Sequence, residues 1–401
     1  MTERAILFFL FLLVASLPVS VAAAHLGLVA LLLLWGYQWA MKRGAFIRTP
    51  LDGPIAIYLS AVLAAALVGV SPTRSLLGLV ALWHILLYTV AVHQVLTRSL
   101  AQRLMLVLFG IAALNGLYGI IQHLSGGLDL FQFEGHERIM RVGEQVRATG
   151  VFDHYMTFSG QMLLLGLFGT GLLLFWARGP ARWVLAGAVV LLLGGVLSSW
   201  TRNAWLGLVA GLLVLGGFKG RKNFALLTVS LIFTILLFLT FYPGLRMRAV
   251  SIMDLKTDGS NIERIQIWQA TLDMIQNHRL FGVGIGNYRA VLDQYRERYG
   301  AGSHSHAHNT LLQVMAENGL VGLLSYLLVW YVFFREGIRT ARATSDPFTL
   351  GVTVGAFGAL VGFHVAGLFE YNLGDSEVAM MMWFIVGLAM AARAGHFEVR
   401  T

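Results

Sequence analysis

Apolar stretches about as long as a membrane is thick recur along this chain and leave few alternatives for its fold. A helix that crosses the hydrocarbon core of a bilayer needs about 20 mostly apolar residues. Of the 401 residues, 57% are hydrophobic and 12% are charged, as expected of an integral membrane protein. Candidate segments lie at roughly 5–23, 25–41, 54–71, 76–96, 102–123, 155–177, 182–199, 203–218, 223–242, 309–334, 348–369 and 377–394. The sequence therefore predicts an all-α polytopic membrane protein with about twelve transmembrane helices.

Two long connections divide these segments into three parts. Residues 1–242 carry the first nine predicted helices, interrupted by a loop at about 124–154. Residues 243–308 form the larger loop, and residues 309–401 hold the last three helices and a C-terminal tail. A structureless loop as long as 243–308 is uncommon in a compact protein, so we expect helices within it.

The distribution of Lys and Arg predicts the orientation, because short cytoplasmic loops carry an excess of basic residues. With the N-terminus placed in the cytoplasm, the inner side holds sixteen of the 29 basic residues: Arg4, Lys42, Arg43, Arg48, Arg98, Arg103, Arg178, Arg182, Lys219, Arg221, Lys222, Arg335, Arg339, Arg342, Arg393 and Arg400. The short outer loops hold only Arg74 and Arg202. Both termini are therefore predicted to be cytoplasmic, and both long loops to face outward.

The basic residues on the predicted outer side are almost all arginine. Twelve are Arg and one is Lys256. The planar guanidinium group binds phosphate through two parallel hydrogen bonds and stays charged, which favours recognition of a phosphate-bearing substrate. The alternative is pairing with acids of the same loops, such as Glu263, Asp273 and Asp293, or contact with lipid headgroups.

The larger loop contains two helical patterns. Ser260 and Glu263 have capping-box spacing and precede apolar residues at helical intervals, so a helix is expected to begin there. A second pattern at 288–299 ends at Gly300, a residue suited to the left-handed position after a helix. We expect both to be amphipathic helices lying over the bilayer.

Three histidines, His304, His306 and His308, alternate just before the tenth apolar segment. On an extended segment their side chains point the same way. Imidazole can bind zinc or copper or act as a general base near neutral pH. The third alternative is a surface or structural residue with no catalytic role. No cysteine is present, and no acidic residue lies between Glu297 and Glu317 to complete a compact local metal site. Glu317 is itself a candidate, either functional or a buried hydrogen-bond partner, because ionisable groups within a membrane span are costly.

Several motifs resemble one protein family in the same order along the chain. "HNTLLQVMAENGLVG" fits H-[NSQ]-x9-G-x-x-G, from His308 and Asn309 through Gly319 to Gly322. "RATGVFDH", "SSWTRNAWLG" and "ERIQIWQATLDMIQNHRLFGVGIGNY" match as well. The chain resembles the bacterial O-antigen ligases, within the wider group that includes O-antigen polymerases.

This resemblance implies a C-type glycosyltransferase of lipopolysaccharide biosynthesis in the bacterial inner membrane, acting on the periplasmic face. It implies a polysaccharide donor on undecaprenyl diphosphate, a lipid A–core acceptor, no metal or other cofactor, and no nucleic acid. The motif favours His308 as general base, with His306 as runner-up. The predicted diphosphate ligands are Arg147, Arg202, Arg264 and, more weakly, Arg289, and the predicted supporting residues are Asn309, Trp268, His154 and Glu317.

Two alternative functions remain at this point. A polymerase uses the same donor chemistry and is favoured by paired R-x10-G motifs in two outer loops, whereas the match Arg289 to Gly300 lies in the larger loop and the smaller loop has none. A lipid-linked sugar transporter is a different class, in which ionisable residues and broken helices lie near the bilayer midplane. The concentration of charge in the outer loops favours surface chemistry over transport.

Overall fold

A computed structural model describes residues 2–41, 46–131, 138–241, 243–251, 254 and 256–397. The α-helices are α1 (Thr2–Ser16), α2 (Val21–Ala40), α3 (Asp52–Val68), α4 (Pro72–Gly78), α5 (Leu86–Gln94), α6 (Arg98–Leu124), α7 (Tyr155–Phe175), α8 (Gly179–Ser198), α9 (Arg202–Phe218), α10 (Arg221–Phe241), α11 (Pro243–Val250), α12 (Gly259–Asn277), α13 (Tyr288–Leu292), α14 (Arg296–Tyr299), α15 (Thr310–Ala343), α16 (Pro347–Ala366) and α17 (Ser376–Arg393). Two short 3-10 helices lie at Leu79–Ile85 and Asn372–Gly374. The predicted all-α polytopic class is confirmed.

Each apolar segment predicted from the sequence overlaps one or more helices in the described residues. By length and composition, eight helical stretches in the described ranges can cross a membrane: Val21–Ala40, Pro72–Gln94, Arg98–Leu124, Tyr155–Phe175, Gly179–Ser198, Thr310–Ala343, Pro347–Ala366 and Ser376–Arg393. The helices α3 and α9 are apolar but shorter, at 17 residues each. The segment predicted at 76–96 is not one regular helix, because the 3-10 helix separates α4 from α5.

Polar side chains cap the N-termini of several of these helices, at the points where a loop is followed by an apolar run. Thr97, Asn309, Asp346 and Asp375 each accept a hydrogen bond from the backbone N–H three residues on. Such caps satisfy N–H groups that the helix leaves unpaired. These caps therefore define the residues at which α6, α15, α16 and α17 begin.

The helices α7 and α16 form the centre of the bundle and approach each other through glycine. A Cβ atom added at Gly171 would strike the backbone of Gly355 on the neighbouring helix. Close backbone approach through small residues is typical of helix packing in membranes, where burial of apolar surface gives little driving force. Most of α7 and α17 is buried as a result.

Four of the arginines predicted to face the cytoplasm form ion pairs with two acidic residues. Arg335, Arg339 and Arg393 all form ion pairs with the buried Glu336, and Arg98 pairs with Asp346. The helix α15 has 34 residues, or about 51 Å at 1.5 Å per residue, so these pairs lie far from its start at Thr310. The orientation stays a prediction, and Lys42, Arg43 and Arg400 lie outside the described residues.

The helix α15 is broken at Gly319, where φ is 64° and ψ is −166°. The freed N–H groups of Leu320 and Val321 donate to the carbonyls of Arg279 and Leu280 at 2.8 and 3.2 Å. An added Cβ at Gly319 would collide with the Leu280 carbonyl. The glycine of the sequence motif therefore docks the 279–286 segment against the broken helix.

We expect Gly319→Ala to lower the free energy of unfolding by more than the roughly 1–2 kcal/mol of a left-handed non-glycine residue, because the Leu280 backbone must also move. Thermal unfolding in detergent, followed by tryptophan fluorescence, measures this. The matched control is Gly110→Ala in α6, where no atom lies within 4 Å of the added methyl group. Equal unfolding temperatures for the two variants would contradict this account of the break.

The two long loops are structured differently from the expectation. Within the smaller one, β1 (Met140–Val142) and β2 (Gln145–Arg147) form an antiparallel hairpin that the sequence did not indicate. In the larger one, the cap of α12 is Asp258, not Ser260, because the Asp258 carboxylate accepts from the Asn261 N–H. The pattern at 288–299 is two short helices rather than one, ending at Gly300 with φ of 66° as predicted.

Candidate active site

A small cavity of about 70 Å³ lies where β2, α9 and α12 meet. Arg147, Arg202 and Arg264 all line it, from three segments far apart in the sequence. The other lining residues are Tyr155, Met156, Thr201, Asn203, Leu206, Ser260, Asn261 and Phe369. The fold thus brings three of the four predicted phosphate ligands to one cavity.

Arg147 is held at the end of β2 by backbone and ring contacts. Its guanidinium group donates to the carbonyls of Ser199 and Trp200 at 3.2 and 3.3 Å. It also lies over the ring of Tyr155, 3.2 Å from the ring centroid. With an exposure of 7%, the side chain has a fixed position.

Arg202 joins the start of α9 to the start of α12. It donates to both carboxylate oxygens of Asp258 at 3.2 Å and to the Asn261 side chain at 3.1 Å. It also donates to the carbonyl and hydroxyl of Ser251. Because Asp258 caps α12, this ion pair also holds the helix that carries Arg264.

Arg264 is the least engaged of the three. It donates to the Ser260 hydroxyl at 3.0 Å, while its buried Nε has no hydrogen-bond partner within the described part of the chain. Burial lowers its pKa, and the nearby Glu370 carboxylate opposes that effect. An unpaired buried N–H is costly, so Arg264 is suited to receive an anionic group.

His308 forms a dyad with Glu370, which lies in the connection between α16 and α17. The His308 Nδ1 is 3.1 and 3.0 Å from the two carboxylate oxygens. Burial by itself raises the pKa of Glu370, but His308, His306 and the Tyr371 N–H lower it to about 2. With the carboxylate ionised, Nδ1 donates its proton and Nε2 carries the free lone pair.

Several contacts position this dyad. Thr310 N–H donates to the Gly367 carbonyl at 2.7 Å, and its hydroxyl donates to the Glu370 carbonyl at 3.0 Å. These bonds dock the start of α15 onto the end of α16. His308 also has φ of 47°, a left-handed conformation that is unusual for a residue with a side chain. Such backbone strain clusters at functional sites.

The other two histidines occupy different environments. The His306 ring lies 4.2 Å from the His308 ring, and its Nδ1 is 3.6 Å from Glu370. Burial lowers the pKa of His306 to about 4, although Glu370 opposes the shift. His304 instead contacts Glu263 of α12 at 2.9 Å. Only His306 and His308 therefore share the Glu370 carboxylate.

Aromatic contacts connect the arginine cavity to the histidine dyad. Phe369 lines the cavity and is next to Glu370 in the chain. Trp268 lies 6.4 Å from Phe369, measured between ring centroids, and its indole N–H donates to the Ala307 carbonyl at 3.0 Å. Glu370 raises the pKa of Arg264, so the two side chains lie within electrostatic range of each other.

The predicted supporting residues divide into two sets. His154 caps α7 by accepting from the Met156 N–H, and burial lowers its pKa, with Arg147 and His308 acting in the same direction. Asn309 caps α15 through the Leu312 N–H and donates to the Leu368 carbonyl. Both lie beside the site.

Two predicted residues lie elsewhere. Glu317 accepts from the Gly286 N–H at 2.8 Å and is buried against the glycine-rich 282–286 segment, which favours its interpretation as a structural hydrogen-bond partner. Arg289 is exposed on α13 and does not line the cavity. Neither residue is brought to the arginines or to His308.

Glu370 is the functional residue that sequence reasoning missed. In the sequence the 370–377 connection stands out only as acidic, and the 62-residue separation of Glu370 from His308 hides the contact. The one available signal was an acid at the outer end of an apolar helix. Together with His306 and His308 it also forms a group whose ligand atoms lie within 4.8 Å of one another and that could hold a metal ion.

Comparison with known proteins agrees with the family suggested by the motifs. A family model described as O-antigen ligase matches residues 187–327, which include Arg202, Arg264 and His308. Similar proteins are each named "Putative polysaccharide ligase": one from Rickettsia felis is 22% identical over 37% of this chain and 37% of its own length. One from Rickettsia conorii is 22% identical over 55% and 54%, and one from Rickettsia prowazekii is 24% identical over 41% and 39%.

The chain thus matches about half or less of the length of these relatives. The family model covers the segment that contains α9, α12 and the His308 motif, whereas Arg147 of the cavity and Glu370 of the dyad lie outside it. The chain is accordingly a membrane protein whose residues 187–327 are similar to the O-antigen ligase family.

Proposed function

We propose that this protein is an O-antigen ligase that transfers polysaccharide from undecaprenyl diphosphate to a lipid A–core acceptor on the periplasmic face of the bacterial inner membrane. The observation that carries the proposal is the placement of Arg147, Arg202 and Arg264 around one cavity, next to the His308–Glu370 dyad. Cationic groups and a base are the two requirements of transfer from a diphosphate leaving group.

In the proposed reaction an acceptor hydroxyl attacks the anomeric carbon of the donor sugar. The new bond joins the acceptor oxygen to that carbon, and the bond to the diphosphate oxygen breaks. His308 Nε2 takes the hydroxyl proton, while Glu370 orients the ring and stabilises the imidazolium that forms. Undecaprenyl diphosphate leaves, and a single direct displacement inverts the anomeric centre.

The arginines would stabilise the charge that grows on the leaving diphosphate. Preorganised cationic donors can do this in a water-poor site without a divalent ion. Arg264 is best suited to direct contact because its Nε has no partner in the described ranges. Arg147 and Arg202 are held more tightly and contribute fixed charge.

The cavity of about 70 Å³ is far smaller than the roughly 300–1,000 Å³ of typical ligand pockets. Donor binding in this proposal therefore requires α12 and the 302–308 segment to move away from α9. Loop opening of this kind commonly gates access in enzymes.

The decisive experiment is transfer by purified protein reconstituted with lipid-linked donor and lipid A–core, with EDTA present. We expect a lipid A–core–linked polymer to form at the same rate with and without chelator. Loss of transfer in EDTA and its recovery with zinc would refute the metal-independent mechanism. A product lengthened on the lipid-linked donor would identify a polymerase, and donor movement without transfer would identify a transporter.

Glu370→Gln tests the positioning role of the carboxylate. The amide keeps the shape but no longer holds an Nδ1–H tautomer or stabilises the imidazolium, so kcat should fall roughly 10²- to 10⁴-fold, because a carboxylate that orients a catalytic histidine can contribute as much as the base itself. KM for the donor should change little, because Glu370 does not contact the diphosphate in this mechanism. Glu370→Asp should recover part of kcat, and a rise in KM alone would contradict the assignment.

A further inference from the structure

The side chains of His306, His308 and Glu370 converge from two separate segments into a compact group. The Nδ1 atoms of His306 and His308 lie 3.6 and 3.0 Å from oxygens of the Glu370 carboxylate. Ligands around a tetrahedral zinc ion, at about 2.0–2.1 Å from the metal, are about 3.3 Å apart. The two observed separations bracket that value, and all three ligand atoms lie within 4.8 Å of one another, so an ion fits if the side chains close around it.

The donor set resembles that of an open zinc site. Two imidazole nitrogens and one carboxylate oxygen suit zinc or a related transition ion, whereas Mg²⁺ and Ca²⁺ prefer sites made of oxygen. His306 Nδ1 accepts a hydrogen bond from the His308 N–H at 3.3 Å, so this nitrogen already carries a lone pair. The fourth position would be left for water.

The group can be reached from outside the protein. The side chains of His306 and His308 are 28% and 20% exposed, while Glu370 is 5% exposed. The two histidines therefore form the accessible side of the group and the carboxylate its base. The His304–Glu263 pair lies beside the group, with the His304 ring 5.5 Å from the His308 ring.

We propose that His306, His308 and Glu370 bind one Zn²⁺ ion and that this ion inhibits the enzyme reversibly. The binding stands on the geometry of the three residues, while the inhibition rests on the proposed function. Zinc would act here as a regulatory ligand rather than as a participant in transfer.

Zinc inhibits in this scheme because it reverses the tautomer that catalysis needs. In the free protein the proton of His308 is on Nδ1, facing Glu370, and Nε2 is the base. An ion on Nδ1 forces that proton onto Nε2, through solvent and with no net proton gained or lost. The ring then has no lone pair for the acceptor hydroxyl. The ion also takes the Glu370 carboxylate that would stabilise an imidazolium.

The positive charge of the neighbouring arginines is expected to lower the affinity of the site for zinc. Arg264 lies close enough to interact with Glu370, and it disfavours a nearby dication. Binding should therefore be weaker than in a structural zinc site and should be reversed by a chelator. A lipid-linked diphosphate donor would compensate the arginine charge but compete for the same space.

The first experiment measures binding without any activity. Tag-free protein in detergent is treated with EDTA, freed of chelator, and titrated with Zn²⁺ by calorimetry and with Co²⁺ by visible absorption. We expect one high-affinity site with a tetrahedral Co²⁺ spectrum. His306→Asn should weaken binding by more than the roughly 10- to 100-fold that loss of an outer-shell partner costs.

His304→Asn is the matched control, because it removes a neighbouring histidine that contacts Glu263 rather than Glu370. It should bind zinc like the wild type. Gel filtration and thermal unfolding check that each variant is folded. Equal affinity of His306→Asn and wild type, or loss of binding in His304→Asn, would overturn the proposed ligand set.

The second experiment measures transfer at increasing zinc concentration. Wild-type turnover should fall with a midpoint at the measured dissociation constant and return on adding EDTA. The His306→Asn variant, compared with its own metal-free rate, should need at least about tenfold more zinc. Binding without inhibition would overturn the regulatory part, and activation by zinc would overturn it as well. Full turnover without any zinc binding would overturn the site while the proposed function stands.

Discussion

Replacing His308 with asparagine is expected to lower kcat by about 10²- to 10⁴-fold, the usual contribution of a general base. Asparagine tolerates the left-handed backbone found at this residue, where φ is 47°, so the change removes the imidazole with little added strain. KM for the lipid-linked donor should change little, because the diphosphate is held by arginines in this mechanism. Initial rates of polymer transfer to lipid A–core measure both parameters.

The control for this prediction is His304→Asn. His304 is close to His308 but contacts Glu263, so a general loss of local positive charge or order would affect both variants. A much smaller effect at His304 assigns the loss to the base itself. Full turnover by the His308 variant, with the His306 variant inactive, would move the role of base to His306.

Replacing Arg264 with alanine is expected to lower kcat/KM by about 100- to 1,000-fold, as for loss of one preorganised donor at a site of developing charge. Of the three arginines, Arg264 can be replaced with the least disturbance of the fold, because its guanidinium group donates only to the Ser260 hydroxyl within the described part of the chain. Arg202 also holds α9 to α12 through Asp258, so its removal would disturb the fold as well. Arg264→Lys should recover only part of the loss, since an ammonium group cannot donate two parallel hydrogen bonds to a diphosphate.

Arg289→Ala is the matched control for charge. It removes the same side chain from the same loop, at an exposed position outside the cavity. Its kcat/KM should stay near that of the wild type. Equal losses at Arg264 and Arg289 would indicate a diffuse electrostatic effect and would contradict a specific diphosphate contact.

Much of the site could be anticipated from short stretches of sequence. The asparagine that follows His308 and the spaced glycines identified the end of α15, and the structure shows why the spacing matters: Asn309 caps the helix and Gly319 breaks it. The arginines Arg147, Arg202 and Arg264 were selected by motif, and the fold brings them to one cavity. Their predicted catalytic roles stay predictions until the variants are measured.

Other features depended on contacts between distant segments. Asp258 rather than Ser260 caps α12, because Arg202 holds the Asp258 carboxylate in place from another helix. Glu317 and, more weakly, Arg289 are candidates by residue type, but Glu317 is buried against Gly286 and Arg289 is exposed. Residue type alone could not show that Glu317 and Arg289 lie outside the cavity that the other arginines line.

The sequence by itself determined the class of fold and the position of most of its apolar helices, because the length of an apolar run and its polar ends act locally and need no knowledge of neighbours. Only the tertiary structure decided that Glu370 is the partner of His308 and that β2, α9 and α12 bring three arginines to one cavity. Those contacts join residues tens to more than a hundred positions apart. They are set by how segments distant in the sequence pack together, which no local pattern encodes.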